Sequence, residues 1–141
     1  MQRVIAFAIL FFSIASSAGN PEPYLRSAPM PFYPPLCRSA RIQGEVVVNY
    51  SINEDGDTYE VETVSGPKLL QQATADEVRL WKFSWPQPCK CRVKRRITFA
   101  YGLGDWVDDD GPNSIVKWFG KGPVERVEVQ AGQISVQTSN Q

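Results

Sequence analysis

Apolar and polar side chains alternate along residues 45–53 (EVVVNYSIN), with Val46, Val48, Tyr50 and Ile52 on one face and Val47, Asn49, Ser51 and Asn53 on the other. A period of two marks a half-buried strand. Residues 53–57 then supply short polar side chains and Gly56, which suit the dihedrals of a hairpin turn. The returning segment, residues 58–65, breaks the alternation because Val61 and Val64 are three apart, so a bulge near Thr63 is expected. After Gly66-Pro67 the period changes. Leu70, Ala73, Thr74, Val78 and Trp81 fall on one side of a helix and Gln71, Gln72, Asp76 and Arg79 on the other, which predicts an amphipathic helix running to about Phe83, before Trp85-Pro86. A third strand is expected over residues 93–103, with Ile97, Phe99, Tyr101 and Leu103 alternating with Thr98, Ala100 and Gly102.

The pattern defines an α+β class. It predicts a small antiparallel sheet in β-β-α-β order with the helix packed on one face, a short helix or turn before it, and a β-prone C-terminal extension. In that extension, residues 115–119 (IVKWF), 124–129 (VERVEV) and 133–138 (QISVQT) favour strands and are separated by Gly120, Gly122-Pro123 and Gly132. An appended hairpin or edge strands are expected there. The polar finish, residues 137–141, leaves a mostly disordered tail as the alternative.

The landmarks come in a definite order: Tyr33-Pro34-Pro35, Arg41-Ile42-Gln43-Gly44, Asp55-Gly56, Val64-Ser65-Gly66-Pro67, Trp81-Lys82-Phe83 and the closing Ile97-Thr98-Phe99-Ala100-Tyr101-Gly102-Leu103. In this order, over about residues 31–103, the chain resembles the C-terminal domain of the TonB family, periplasmic proteins that deliver energy to outer-membrane transporters. In that family the closing strand pairs with a short extended segment of a transporter, which is β-augmentation. Carried over, the resemblance implies a partner-binding edge at Arg95, Arg96, Ile97, Thr98, Phe99, Ala100 and Tyr101. The implied partner is an extended segment of an outer-membrane transporter or other envelope protein. The alternative is a structural or assembly protein that forms a homodimer through its own strand edge.

Arg3 followed by the apolar run of residues 4–14 and the small residues Ser16-Ser17-Ala18 reads as a secretory signal peptide cut after Ala18. An uncleaved anchor would need about 20 apolar residues to cross the hydrocarbon core. Residues 19–35 hold six prolines and are expected to form an extended leader, roughly 50 Å long at about 3.1 Å per residue. The expected organisation is thus a signal at 1–18, a leader at 19–35, a TonB-like domain at 36–103 and the extension at 104–141. A full transducer in the family adds a membrane helix and a long Pro-rich spacer. With a cleavable leader, a short spacer and no His, this chain is expected to lack the parts that couple to a motor.

Charge narrows the classes further. The chain has 15 Lys+Arg against 15 Asp+Glu, and loss of residues 1–18 removes only Arg3. Such a balance gives no attraction to nucleic acid. Lys90, Arg92, Lys94, Arg95 and Arg96 form a basic run at the entry to the third strand, either a patch for an acidic partner or a charged edge that resists unwanted pairing. Asp105 and Asp108 to Asp110 lack the alternate ligand spacing of a calcium loop and read as a solvated turn. No His-based, Ser-based or Gly-rich catalytic constellation is present, so no catalytic residue, metal, cofactor or small-molecule substrate is expected.

Cys37, Cys89 and Cys91 are an odd number in an exported chain, where disulfides persist. A bond between Cys89 and Cys91 closes a very short loop, so Cys37 paired to either of them is the expectation. A loop of roughly 50 residues would contribute about 4 kcal/mol in the chain-entropy view. A metal or redox site is the alternative use of these thiols, although Cys-x-Cys with one distant Cys and no His is a poor metal set. Trp81, Trp85, Trp106 and Trp118 are expected in the core and its borders.

Overall fold

The computed structural model describes residues 19–107, 114–120 and 123–133. The expected signal peptide, Asp108 to Asp110 and residues 134–138 lie outside them. The fold is α+β, as the pattern predicts. In chain order its elements are β1 (Tyr24–Ser27), α1 (Pro35–Ser39), β2 (Gly44–Ile52), β3 (Thr58–Ser65), α2 (Lys68–Arg79), β4 (Lys82–Ser84), β5 (Val93–Val107), β6 (Ser114–Phe119) and β7 (Arg126–Gln133). The main sheet has five strands in the order β3-β2-β5-β7-β6, and β1 and β4 form a separate antiparallel pair. Every pairing is antiparallel except β5 with β7, which is parallel.

The alternation of β2 places Val46, Val48, Tyr50 and Ile52 in the core, each at most 2% exposed. Turn chemistry fixes the hairpin that follows. Asn53 Oδ1 accepts the N–H groups of Asp55 and Asp57 at 3.0 and 2.9 Å, and Gly56 adopts φ +85°. A Cβ at Gly56 would overlap the Phe83 carbonyl, so only glycine fits this close approach. The irregularity expected near Thr63 is present, since Val47 pairs with Ser65 while Val48 pairs with Thr63. A second lies between Asn49 and Ser51 of β2, opposite the stretch of β3 in which Glu60 takes a positive φ of 49°. The ladder between β2 and β3 thus has two irregularities rather than the one expected.

Helix α2 begins after Pro67 and lays Leu70, Thr74 and Val78 against the sheet. It stops at Arg79, short of the expected Phe83. Trp81-Lys82-Phe83 is therefore not helical: Lys82 and Phe83 lie in β4, where Phe83 pairs with Leu25 of β1 and its N–H donates to the Gly56 carbonyl at 2.8 Å. Trp81 and Phe83 are both buried, at 0% and 4% exposure, a spacing of two that a strand satisfies and a helix does not. The same pairing corrects the picture of residues 19–35 as an unpacked leader. That stretch carries β1, buries Pro23 and Pro31, and delivers Tyr33 into the core.

The core lies between α2 and one face of the sheet. Trp81 is its centre, with ring centroids 5.8 to 6.2 Å from Tyr50, Phe83, Phe99 and Trp118. Trp85 is half-buried and donates its indole N–H to the Asn53 carbonyl at 2.9 Å, whereas Trp106 is exposed. The opposite sheet face carries Glu45, Asn49, Arg96, Thr98, Arg126 and Glu128, none of them fully buried. One face is covered and the other is solvated, as expected for this strand composition.

Candidate strand-addition site

The chemistry that β-augmentation requires is a strand edge with unpaired N–H and C=O groups. The family resemblance puts that edge on Arg95 to Tyr101, and the structure divides those residues into two groups. On one side all seven pair with β2, from Arg95 opposite Tyr50 to Tyr101 opposite Gly44. On the other side Thr98, Phe99, Ala100 and Tyr101 pair in parallel with Arg126, Val127, Glu128 and Val129 of β7. The edge expected to be free from Thr98 onward is therefore filled from within the chain. Ladder pairing with β7 begins at Thr98, whose N–H donates to the Glu125 carbonyl at 3.1 Å. Val93 to Ile97 have no strand partner on this side among the described residues.

The backbone direction of the open stretch follows from that bond. N–H and C=O groups of a strand alternate sides along the chain, so Arg96 and Lys94 point theirs the same way as Thr98, toward the unpaired side. Their side chains lie on the solvated face, and the Arg96 guanidinium donates to Asn49 Oδ1 at 2.9 Å. Arg95 lies on the core side opposite Tyr50 and ion-pairs with Glu22, so the segment before β1 helps neutralise the basic run. Ile97 and Phe99 are wholly buried, with their side chains in the core.

Several polar contacts tie the C-terminal strands down. The buried Arg38 of α1 donates through Nε and Nη2 to the Gly132 carbonyl at 3.1 and 2.9 Å. The Tyr33 N–H donates to Ser114 Oγ at 3.1 Å, and the Arg126 guanidinium reaches across β5 to Glu45 of β2 at 2.8 Å. Val127, Val129 and Ala131 are fully buried. The sequence pattern marks β6 and β7 as strand-forming but carries no signal for where they dock.

Next to this sheet end sits a compact set of buried polar groups. The hydroxyls of Thr74 and Tyr101 lie 2.8 Å apart, and the Tyr33 hydroxyl donates to the Ile42 carbonyl. Burial pushes the phenols of Tyr33, Tyr50 and Tyr101 up to about 12. Burial also raises the Glu77 carboxyl, opposed by its hydrogen bond from Trp81, and raises the Cys37 thiol. In each case burial disfavours the charged form.

The cysteines depart from the expected bridge. Cys37 is a free thiol in the core, and Cys89 bonds to Cys91 across a single intervening residue. The reason is distance. Cys37 sits beside the Gly44 end of β2, where its carbonyl accepts from Ile42, while Cys89 borders Glu54 and Asp55 at the hairpin end. Nine strand residues, about 30 Å, separate the two ends. A disulfide bridges Cα atoms no more than about 7 Å apart. Among the described residues no group of three or more His, Cys, Asp and Glu gathers to hold a metal ion, and no helix is long and apolar enough to cross a membrane.

The family of Gram-negative bacterial TonB protein C-terminal domains matches residues 29–103, just over half of the chain. The chain belongs to that family, whose members are periplasmic domains. The matched region ends within β5, so β6 and β7 are additions outside it. No curated protein matches the chain.

Proposed function

We propose that this domain is a binding module of the Gram-negative envelope that takes up an extended segment of an outer-membrane transporter, or of another envelope protein, as an added strand on β5. The observation that carries this reading is β7 itself: the second edge of β5 is competent to accept a strand, and accepts one from residues outside the family region. The incoming segment enters along Lys94 to Ile97, where the edge is open, and reaches Thr98 to Tyr101 by taking the place of β7. Replacing β7 means replacing the burial of Val127 and Val129, so the segment must carry alternating apolar side chains. Lys94 and Arg96 on the solvated face favour acidic residues at the positions between them.

The test is a substitution at the entry point. Arg96→Pro removes an N–H from the open edge without touching the β2 ladder, and proline is tolerated at such positions. Arg96→Ala removes the same side chain but keeps the donor. With synthetic peptides copied from the extended N-terminal segments of outer-membrane transporters, anisotropy should show binding for the parent and the Ala variant and its loss for the Pro variant. Equal affinity in a folded Pro variant would refute entry at this edge.

A second reading has its own observation. The outer edge of β6 has no strand partner among the described residues, and Ile115 and Phe119 are 50% and 45% exposed beside it. Two copies joined there would form a continuous sheet, the envelope-assembly alternative. A peptide-independent dimer in sedimentation would favour it.

A further inference from the structure

The bond between Cys89 and Cys91 does little of what a structural disulfide does. It closes a loop with one residue inside it, and the entropy removed from an unfolded chain grows with the logarithm of loop length. Both cysteines belong to one connector between β4 and β5, so the bond fastens no distant elements together. Both are partly exposed, while the third thiol, Cys37, is sealed in the core with its ionisation suppressed by burial.

The two sulfur sites also differ in their electrostatic surroundings. Cys91 stands between the exposed cations Lys90 and Arg92 and lines a groove of about 360 Å³ with Trp85, Arg92 and Arg95. Glu22 enters the same groove but is held by Arg95. Cys89 shares Lys90 as a neighbour but borders a separate hollow with the carboxylates Glu54 and Asp55. Cations stabilise a thiolate and attract an anionic attacker, whereas carboxylates oppose both. Cys91 is thus the better thiolate and the more approachable sulfur.

We infer that Cys89 and Cys91 form a thiol–disulfide exchange site, with Cys91 as the sulfur that joins the partner and Cys89 as the resolving thiol, acting on dithiols of exported polypeptides. In the oxidising direction a partner thiolate attacks Cys91 Sγ, an S–S bond forms between them, and the bond to Cys89 breaks with its electron pair on Cys89, which takes a proton. The partner's second thiolate then attacks the partner's sulfur in the mixed disulfide and releases Cys91, which takes the second proton. Two electrons and two protons pass from the partner dithiol to the cysteine pair. The reverse steps reduce a partner disulfide.

Glutathione is a sufficient probe. The folded, oxidised protein is equilibrated in glutathione buffers spanning a 100-fold range of oxidation, alkylated, and cleaved at Lys90 so that the two cysteines are read on separate peptides. The expected result is a passage from closed to open within that range, with native fluorescence retained and Cys37 unmodified. A bond that stays closed throughout marks a structural link and overturns the proposal. Roles are read from single variants: Cys89→Ser, which leaves Cys91, should take up glutathione from its disulfide about 3 to 10 times faster than Cys91→Ser. Equal or inverted rates overturn the assignment of Cys91.

Discussion

The two flanks of β5 are built on different rules. On the β2 flank an antiparallel ladder of nine pairs joins two strands of the family region, and the register follows from the alternation of buried and solvated positions along both. On the β7 flank the pairing is parallel and the strand comes from outside that region, held by Val127 and Val129 in the core and by Arg38, Tyr33 and Arg126 at its margins. A parallel neighbour cannot be reached by a tight turn, so the chain first passes to β6 on the far edge and returns as β7 in between. A family fold can thus gain a strand without changing its own signature: the second edge of β5 accepts the chain's own extension.

Alkali should have the largest effect. Tyr50 lies in β2, Tyr101 in β5 between the two flanks and Tyr33 before α1, and neither β6 nor β7 contains a tyrosine. Each phenol titrates near 10 when unfolded and at about 12 when folded, so its contribution is complete below pH 10 and is lost as pH rises to 12. A shift of that size corresponds to an upper limit of about 3 kcal/mol per ring. Urea unfolding at pH 9 and 11.5 should show a loss greater than any single core truncation produces, and Tyr50→Phe should remove part of it. A flat profile over this range would mean that the rings are not buried as described.

Trp81 joins the flanks, since its ring meets Phe99 of β5, Tyr50 of β2 and Trp118 of β6. Trp81→Ala should cost about 3–5 kcal/mol and lower hydrogen-exchange protection in β2 and β6 together. Loss of protection confined to β6 would show that the C-terminal strands form a separate cooperative unit.

The smallest expected effect is at Arg126, whose pair with Glu45 spans the two flanks across β5 on the solvated face. Both side chains are well exposed, so Arg126→Ala should change stability by less than about 1 kcal/mol and should do so less in high salt. A larger loss would make this surface pair a fastening of the C-terminal strands.

Much of the β2 flank is legible in the sequence. Val46, Val48, Tyr50 and Ile52 announce their face by alternation, Asn53 to Asp57 announce the turn, and the Val61–Val64 spacing announces an irregularity. Trp81-Lys82-Phe83 is ambiguous, because Val78 and Trp81 keep helical spacing while Trp81 and Phe83 keep strand spacing. Only the partner strand β1 decides between them. The cysteine pairing is hidden for a similar reason: loop length favours Cys37 as a partner, and the length of β2 puts it out of reach.

Local pattern by itself determined the strands β2, β3 and β5, the turn at Gly56, most of the helix and the likeness to the family, because each rests on residues near in sequence. Tertiary structure alone decided which stretch of β5 stays open, since that depends on where β7 docks, and its docking buries Val127 between Phe99 and Trp118 and Val129 between Tyr101 and Val116, with the β5 partners far away in the chain.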